Sequence, residues 1–600
     1  MKLQNTGITL MMNWTARLLL VGALWAPCRS RAIGTWIPLA TQPPAGVAQL
    51  HLLSDGSVMA QQYYSSNWFK LTPDINGSYV HGTWTNLRSM QYSRVWYSSQ
   101  VLQDGRVFVA GGEYGTGWGT SEVYNPVTDN WAPIAVPAGL ITTNNVVNTN
   151  NNVNSAGFLN SESAILPNGN VLVSPVAPVL EGNYGTTLIF NSAASAFDNT
   201  PELLAFDHST DEENWVTLAD GSILTFDGRS LAQRFIPGGT SGQWVLDQDV
   251  PIKLYDPISG EMGPGFLLPN GHAFFLGGEG NTLIYTPSPS GGTNYGSWTV
   301  GPDIPADPFG NQEGGIDSAG AMMVNGKILF AVSQVPYGSG TNTVGYPAGT
   351  YFYEFDYTAP ANLAFTPVGS PGNPNVGSSQ NIPTYYTMML ALPDGSILYS
   401  DFSSQLYVYQ PDTNTAPLAA GKPAITSITQ NSDGSYHLVG TRLNGISSGA
   451  AYGDDAQMDS NYPLVRMTNS ANGNVYYART HNWSTSGVMT GNTPVTTEFE
   501  LTTSLLENPG TYSLVVVANG NASTPVSFTV PASTWVDFNY TGGGQNGSYN
   551  TPFATLAQGV SAVPSGLTIL IKTAGSSPET MTITKPMNIR AYNGAATIGN

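Results

Sequence analysis

The 600-residue chain contains one cysteine, Cys28, and six histidines. A single thiol excludes a disulfide framework and any thiolate-clamped zinc module. Charge is also scarce, at 10 % of residues, with a formal net charge of −20 and no run of Lys or Arg longer than two. The phosphate-neutralising patch that nucleic-acid binding requires is therefore missing, and nucleic acid is excluded as a partner. The apolar stretch 18–26 (LLLVGALWA) is too short to cross a roughly 30 Å hydrocarbon core. It follows Lys2 and Arg17 and precedes Ser30-Arg31-Ala32, which offers small residues at the two positions a signal peptidase reads. Residues 1–32 are thus expected to be a cleaved secretory signal, leaving a secreted protein with no membrane span. Cys28 follows Pro27 rather than the small residue of a lipid-attachment site, so the mature chain is expected to have no thiol. Loss of 1–32 moves the formal charge to −24, which favours solubility and attraction of cations over adhesion to anionic surfaces.

What is abundant is Gly (67), Pro (42), Tyr (30) and Trp (13), the balance of short strands joined by tight turns. A turn dipeptide between apolar residues occurs seven times: Asp55-Gly56, Asp104-Gly105, Asn168-Gly169, Asp220-Gly221, Asn270-Gly271, Asn325-Gly326 and Asp394-Gly395. Such pairs suit the two-residue type I′ turn of a hairpin. Successive spacings of 49, 64, 52, 50, 55 and 69 residues approach the roughly 50 of a β-propeller blade of kelch type. The second unit is the fullest: Phe108-Val-Ala-Gly111-Gly112, then Tyr124, then Trp131, which resembles the kelch signature. Gly277-Gly278, Tyr285 and Trp298 repeat it in the fifth unit. The last unit stops one strand short at Asp412, and Gly34-Thr-Trp36-Ile-Pro-Leu39 is expected to supply that strand from the N-terminus, removing two exposed sheet edges.

Beyond Pro417 the kelch turn disappears. Residues 421–530 alternate apolar strands with Asn- and Gly-rich turns, as a β-sandwich of immunoglobulin type would. From Trp535 onward, segments such as Thr568-Ile-Leu-Ile571 and Met587-Asn-Ile589 resemble the opening rung of a right-handed parallel β-helix of pectin-lyase type. The expected architecture is therefore all-β: a signal peptide over 1–32, a seven-bladed kelch propeller over 33–417, an immunoglobulin-like early-set sandwich over 421–530, and an incomplete β-helix start over 534–600.

A seven-bladed kelch propeller followed by an early-set sandwich resembles galactose oxidase and glyoxal oxidase, the copper-radical oxidases, over about 500 of the 600 residues. The likeness is carried by the stretch from Arg94 to Gly112, by Tyr385-Tyr386 through Gly395, and by Tyr452-Gly-Asp-Asp-Ala456 and Pro509-Gly510-Thr511-Tyr512. It implies a copper held by two Tyr oxygens and two His nitrogens, with one Tyr bonded to a Cys. Here the equatorial Tyr-His pair falls on Tyr385 and Tyr386, so the His is replaced. The radical Tyr falls on Trp96 or Tyr97, the sandwich ligand on His481, and no cysteine is present to crosslink the Tyr. The oxidase-like scaffold thus comes with a departed site.

A second set of candidates follows from propeller geometry, because residues just before each inner strand gather at one channel mouth. It comprises Glu162, Asp211, Glu212, Glu213, Glu313 and Asp317, with Tyr97, Tyr385 and Tyr386 beside them. Converging carboxylates would suit Ca²⁺, or, as a catalytic pair, a hydrolase or lyase in which Glu213 and Glu313 act. The other histidines, His51, His81, His208, His272 and His437, are scattered without ligand spacing. The leading expectation is a secreted carbohydrate- or cell-surface-binding protein, without a cofactor, engaging extracellular glycans or envelope polymers. The alternative is a copper-dependent oxidase of alcohols or aldehydes with an altered site built from Tyr97, Tyr385 and His481.

Overall fold

The computed structural model describes residues 33–599 apart from 115, 118, 138–145, 148–152, 155–157, 159–160, 175–185, 199–201, 206–212, 227–230, 240, 339–344, 413–415 and 453–455. Within them the chain is almost wholly β, with two short α-helices, Thr503–Glu507 and Leu556–Ala562, and a few single 3-10 turns. The expected secretory signal lies outside the described residues.

All seven Asp-Gly and Asn-Gly turns form, but not as the two-residue type I′ turns that the dipeptides suggest. Leu53 N–H donates to Ser57 O at 2.8 Å and Gly56 N–H to Leu53 O at 2.9 Å, so three residues make the loop. Only the glycines have positive φ, from 76° at Gly56 to 90° at Gly395, while the preceding Asp or Asn does not. Each is a type I turn followed by a left-handed glycine. The reason lies in the Asp or Asn side chain, whose Oδ1 accepts the backbone N–H two residues on. The distances are 3.0 Å from Ser57, 3.1 Å from Arg106, 3.0 Å from Asn170, 3.0 Å from Ser222, 3.1 Å from His272, 3.0 Å from Lys327 and 3.0 Å from Ser396. That bond holds the residue on the ordinary side of φ and leaves the glycine alone to reverse the chain.

The turns join the two innermost strands of the blades of a β-propeller, of which six are separate antiparallel sheets. Their inner strands are Val47–Leu52, Ser98–Val101, Ser163–Ile165, Val216–Thr217, Gly265–Leu267 and Met388–Ala391. Most inner and second strands are buried on both faces, which is why they read as runs of Val, Leu, Ala and Phe rather than alternating patterns. The last of these blades takes its fourth strand from the N-terminus: Thr35–Pro38 pairs antiparallel with Tyr407–Gln410, Trp36 opposite Tyr409. The segment between the fifth and the closing blade behaves differently. Its strands Ala319–Met322, Ile328–Gln334, Tyr351–Phe355 and Phe365–Pro367 continue into a hairpin of Gly449–Tyr452 and Ala456–Asp459, making one seven-stranded sheet with Glu313–Gly314. This hairpin arrives from the C-terminal part of the chain and occupies the propeller axis. It packs against the inner strands of the first, second, third and closing blades.

Residues 424–530 otherwise form a single hydrogen-bonded system of eight antiparallel strands. Leu438, Val495 and Phe499 from one half and Val465, Leu514 and Val516 from the other share its core. After it, Thr534–Val536, Thr568–Ser577 and Asn588–Ile598 pair in parallel. A helix with a capping box at Thr555 and Gln558 covers that sheet, burying Leu556 against Val536 and Ile569.

Candidate functional site: an aromatic mouth flanked by carboxylates

Each inner strand runs from one open mouth to the ring of glycine turns at the other end, so loops preceding the inner strands and following the second strands converge at the mouth. They bring together an arc of six rings. Tyr114 lies 5.6 Å from Trp96, centroid to centroid, Trp96 lies 6.3 Å from Tyr63, and Tyr63 lies 6.4 Å from Tyr386. Tyr386 lies 4.4 Å from Tyr385, which lies 5.3 Å from Tyr346. Phe402 backs the middle of the arc, 4.8 Å from Tyr63. The contacts are mostly edge-to-face, the preferred arrangement for ring quadrupoles. Of the six, Tyr114 faces solvent at 67 % exposure and the other five are half-buried, while the adjoining Tyr64, outside the arc, is 47 % exposed.

The backbone of this region is unusual. Tyr64, Trp96, Tyr114, Asp317 and Phe402 all have φ between 41° and 61°, a conformation that costs a non-glycine residue about 1 kcal/mol or more. Tight hydrogen bonding holds the strained residues in place. Arg94, fully buried beneath Trp96, donates to Gly111 O and to the carbonyl and hydroxyl of Thr120, and it pairs with Glu122 at 3.0 Å. These bonds clamp both ends of the loop that carries Tyr114. The indole Nε1 of Trp96 is buried without an acceptor among the described residues.

The two ends of the arc meet the same charges. Asp317 N–H donates to Met262 O at 3.2 Å, which seats Asp317 beside Glu261. Burial raises the Tyr114 hydroxyl pKa, and the charges of Glu113, Asp317 and Glu261 raise it further. Tyr346 is pushed up to about 12 by burial and by Glu261, Asp317 and Asp256, against a lowering bond with Ser259. Tyr385 is raised by burial and then by its neighbour Tyr386. All three hydroxyls therefore stay protonated and act as neutral donors.

The sequence-derived candidates are distributed less simply than expected. Tyr97 is buried below the mouth and donates to Gln61 Oε1 at 2.7 Å. His481 sits at the opposite end of the inner strands: Thr480 N–H donates to Ser54 O and Trp483 N–H to Gln103 O, both beside glycine turns. Its own neighbours are Arg479 and Glu500, and burial and the Arg479 charge lower its pKa. Tyr97, Tyr385 and His481 are thus not brought together, because the strand carrying His481 packs under the propeller rather than entering its axis. The segment that enters the axis contributes Tyr452 instead, whose hydroxyl donates to the Tyr385 carbonyl at 3.0 Å. These residues do not fit a copper centre of two phenolates and two imidazoles.

The expected acidic set also disperses. Asp211 and Glu212 lie outside the described residues. Glu213 is buried and its Oε2 accepts from Thr225 Oγ1 at 2.9 Å; Glu162 is buried in the third blade. Glu313 lies in the seven-stranded sheet, where Oε2 accepts from the Tyr353 hydroxyl at 3.3 Å and burial raises its pKa to about 8. Among the described members of the set, Asp317 alone bears on the end rings of the aromatic arc. No group of three or more His, Cys, Asp or Glu among the described residues is placed to hold a metal ion. Tyr63, Tyr114, Tyr346 and Glu261 were not singled out in the sequence, since they come from loops of unequal length that carry no repeat.

No protein family and no curated protein matches the chain. Among solved structures it is similar to a fungal alcohol oxidase of the AA5 family in complex with copper, at 13 % identity and TM-score 0.45, over 83 % of this chain and 99 % of that one. It is similar also to a streptogramin B lyase, at 11 % identity and TM-score 0.37, over 63 % and 97 %. A third is YCF48 bound to a D1 peptide, at 12 % identity and TM-score 0.35, over 64 % and 96 %. The propeller assignment stands on the chain's own sheets, and by those sheets this is an all-β propeller protein with an aromatic, acid-flanked mouth.

Proposed function

We propose that the chain is a secreted binding protein that holds carbohydrate at the propeller mouth. The observation that carries this reading is the six-ring arc held on strained backbone, since sugar rings stack their C–H faces on aromatic faces and such strain is retained where the surrounding structure fixes a site. Neutral Tyr hydroxyls beside carboxylates supply the donors and acceptors that orient a polyol. In the same reading the seven-stranded sheet supplies a seventh blade, of kelch type, and the eight-stranded segment is an early-set sandwich. The three parallel strands are the first rung of a β-helix, and residues 1–32 are a signal for export.

Titration of the purified protein with defined oligosaccharides and polysaccharides tests this. Trp96→Ala and Tyr114→Ala are each expected to weaken binding about tenfold or more, with unfolding transitions unchanged. Binding that is indifferent to both substitutions would remove the mouth as the site. Binding of one equivalent of copper, with hydrogen peroxide formed from alcohols or aldehydes, would replace the reading by the oxidase alternative.

A further inference from the structure

We infer that cleavage after Ala32 does more than release an export signal: it frees an ammonium group at Ile33 that pairs with the buried carboxylate of Glu354 and locks the propeller ring closed. The inference rests on the reading of residues 1–32 as a cleaved signal. Glu354 lies in the strand Tyr351–Phe355 of the seven-stranded sheet, facing the closing blade, and is 2 % exposed. Its Oε1 accepts from the Tyr409 hydroxyl at 2.7 Å and from Gly34 N–H at 3.4 Å, and its Oε2 pairs with Lys327 Nζ at 3.4 Å. An ionised carboxylate offers about four acceptor positions, so one short and two long contacts leave room for a further donor. The entering chain is pressed onto this group. Gly34 is buried, and a Cβ there would stand 2.4 Å from Cζ of Tyr409; Ile33 packs against the same core. The nitrogen of Ile33 is one residue from that of Gly34, which places it within about 7 Å of Glu354 Oε1. While residues 32 and 33 are joined, that nitrogen is an uncharged amide with one proton. Hydrolysis of the bond adds water, leaves a carboxylate on Ala32 and turns the amide into an α-ammonium with three donors. A charge-assisted bond to a buried carboxylate is about twice as strong as a neutral one. The uncut chain therefore carries the weaker closure, and the ring tightens once the leader is gone.

The test compares the chain from Ile33 onward, given a free amine by removal of a cleavable N-terminal fusion, with the same chain extended by Ser-Ala before Ile33. Limited proteolysis near residue 40 and labelling of the α-amine by an amine-reactive reagent are followed in both. The free-amine chain is expected to be cut at least about tenfold more slowly than the extended one, and its amine labelled about tenfold more slowly. Both differences should vanish in Glu354→Gln; the labelling comparison between the two unsubstituted chains holds even where that variant does not fold. A difference that persists in Glu354→Gln would overturn Glu354 as the partner. Equal proteolysis and labelling of the free and extended chains would overturn the inference and leave the export reading standing. N-terminal sequencing of the secreted protein separates the two: a first residue other than Ile33 would overturn the cleavage reading, and this inference with it.

Discussion

Closure of the ring by its N-terminal strand makes a quantitative prediction at Trp36. Its ring lies 5.1 Å from Phe352, 5.2 Å from Tyr399 and 4.8 Å from Tyr409, and its Nε1–H donates to Gly369 O at 2.7 Å. Tyr399 and Tyr409 belong to the closing blade, and Phe352 and Gly369 to the neighbouring sheet, so one side chain ties the terminus to two sheets. Full burial of Trp is worth about 3–5 kcal/mol on truncation. Trp36 is half-buried, so Trp36→Ala is expected to cost about 3 kcal/mol including the hydrogen bond. Trp36→Phe keeps the ring packing and should cost about 1 kcal/mol. Ile37→Ala, on the same strand but 36 % exposed, should cost less than about 1 kcal/mol. The chain contains several structural units, so a single unfolding free energy is not defined. The measurements are the urea midpoint of the propeller transition and the rate of limited proteolysis near residue 40. A loss of 3 kcal/mol raises the opened population about a hundredfold. Should Trp36→Ala and Ile37→Ala behave alike, backbone pairing alone would close the ring and the packing argument would fail.

Other expectations follow from buried polar groups. Arg94→Met leaves Glu122 buried without its counter-charge, with only the Gln91 N–H on Oε1, and should destabilise by about 3–5 kcal/mol, read as a lower thermal midpoint and increased cleavage in the 111–120 loop. Burial alone raises the Asp459 pKa to about 7, and Glu313 stands at about 8. A carboxyl whose folded pKa lies above its unfolded value binds more protons when folded, so stability falls as pH rises from about 4.5 toward 8. Asp459→Asn and Glu313→Gln should each flatten that fall in unfolding midpoints measured across the window. Gly169→Ala places a Cβ at φ 84° and within 2.3 Å of the Gln103 side chain; a loss of about 1–2 kcal/mol is expected by chemical denaturation.

The scaffold was legible because its signal is local and repeated. Seven Asp-Gly or Asn-Gly pairs mark seven hairpins, and the apolar runs beside them mark strands buried on both faces. The turn type was misread because the dipeptide alone does not reveal that Asp55 Oδ1 accepts the Ser57 N–H, a bond that reserves positive φ for Gly56. The mouth was legible only in part. Tyr385 and Tyr386 lie at a fixed offset from a turn, whereas Tyr114 and Tyr346 sit in loops whose length varies from blade to blade. His481 was a candidate only because the resemblance to the copper-radical oxidases implies one histidine ligand from the sandwich. Hydrogen bonding shows instead that the strand Gly449–Tyr452, which has no histidine, is paired with Ala319–Met322 and brings Tyr452 to the Tyr385 carbonyl.

That hairpin also sets how a ligand can approach. With Gly449–Tyr452 and Ala456–Asp459 lying along the axis against the inner strands of four blades, the described residues make the propeller closer to a cup than to a tunnel. A long polymer cannot be threaded through it, and a bound chain cannot slide from one face of the molecule to the other. On the proposed reading, a polymer at the mouth would have to dip a chain end into the cup or lay a segment across its rim. For a polymer ligand the two cases separate experimentally: affinity for an end is set by the number of chains present, and affinity for a crossing segment by their total length.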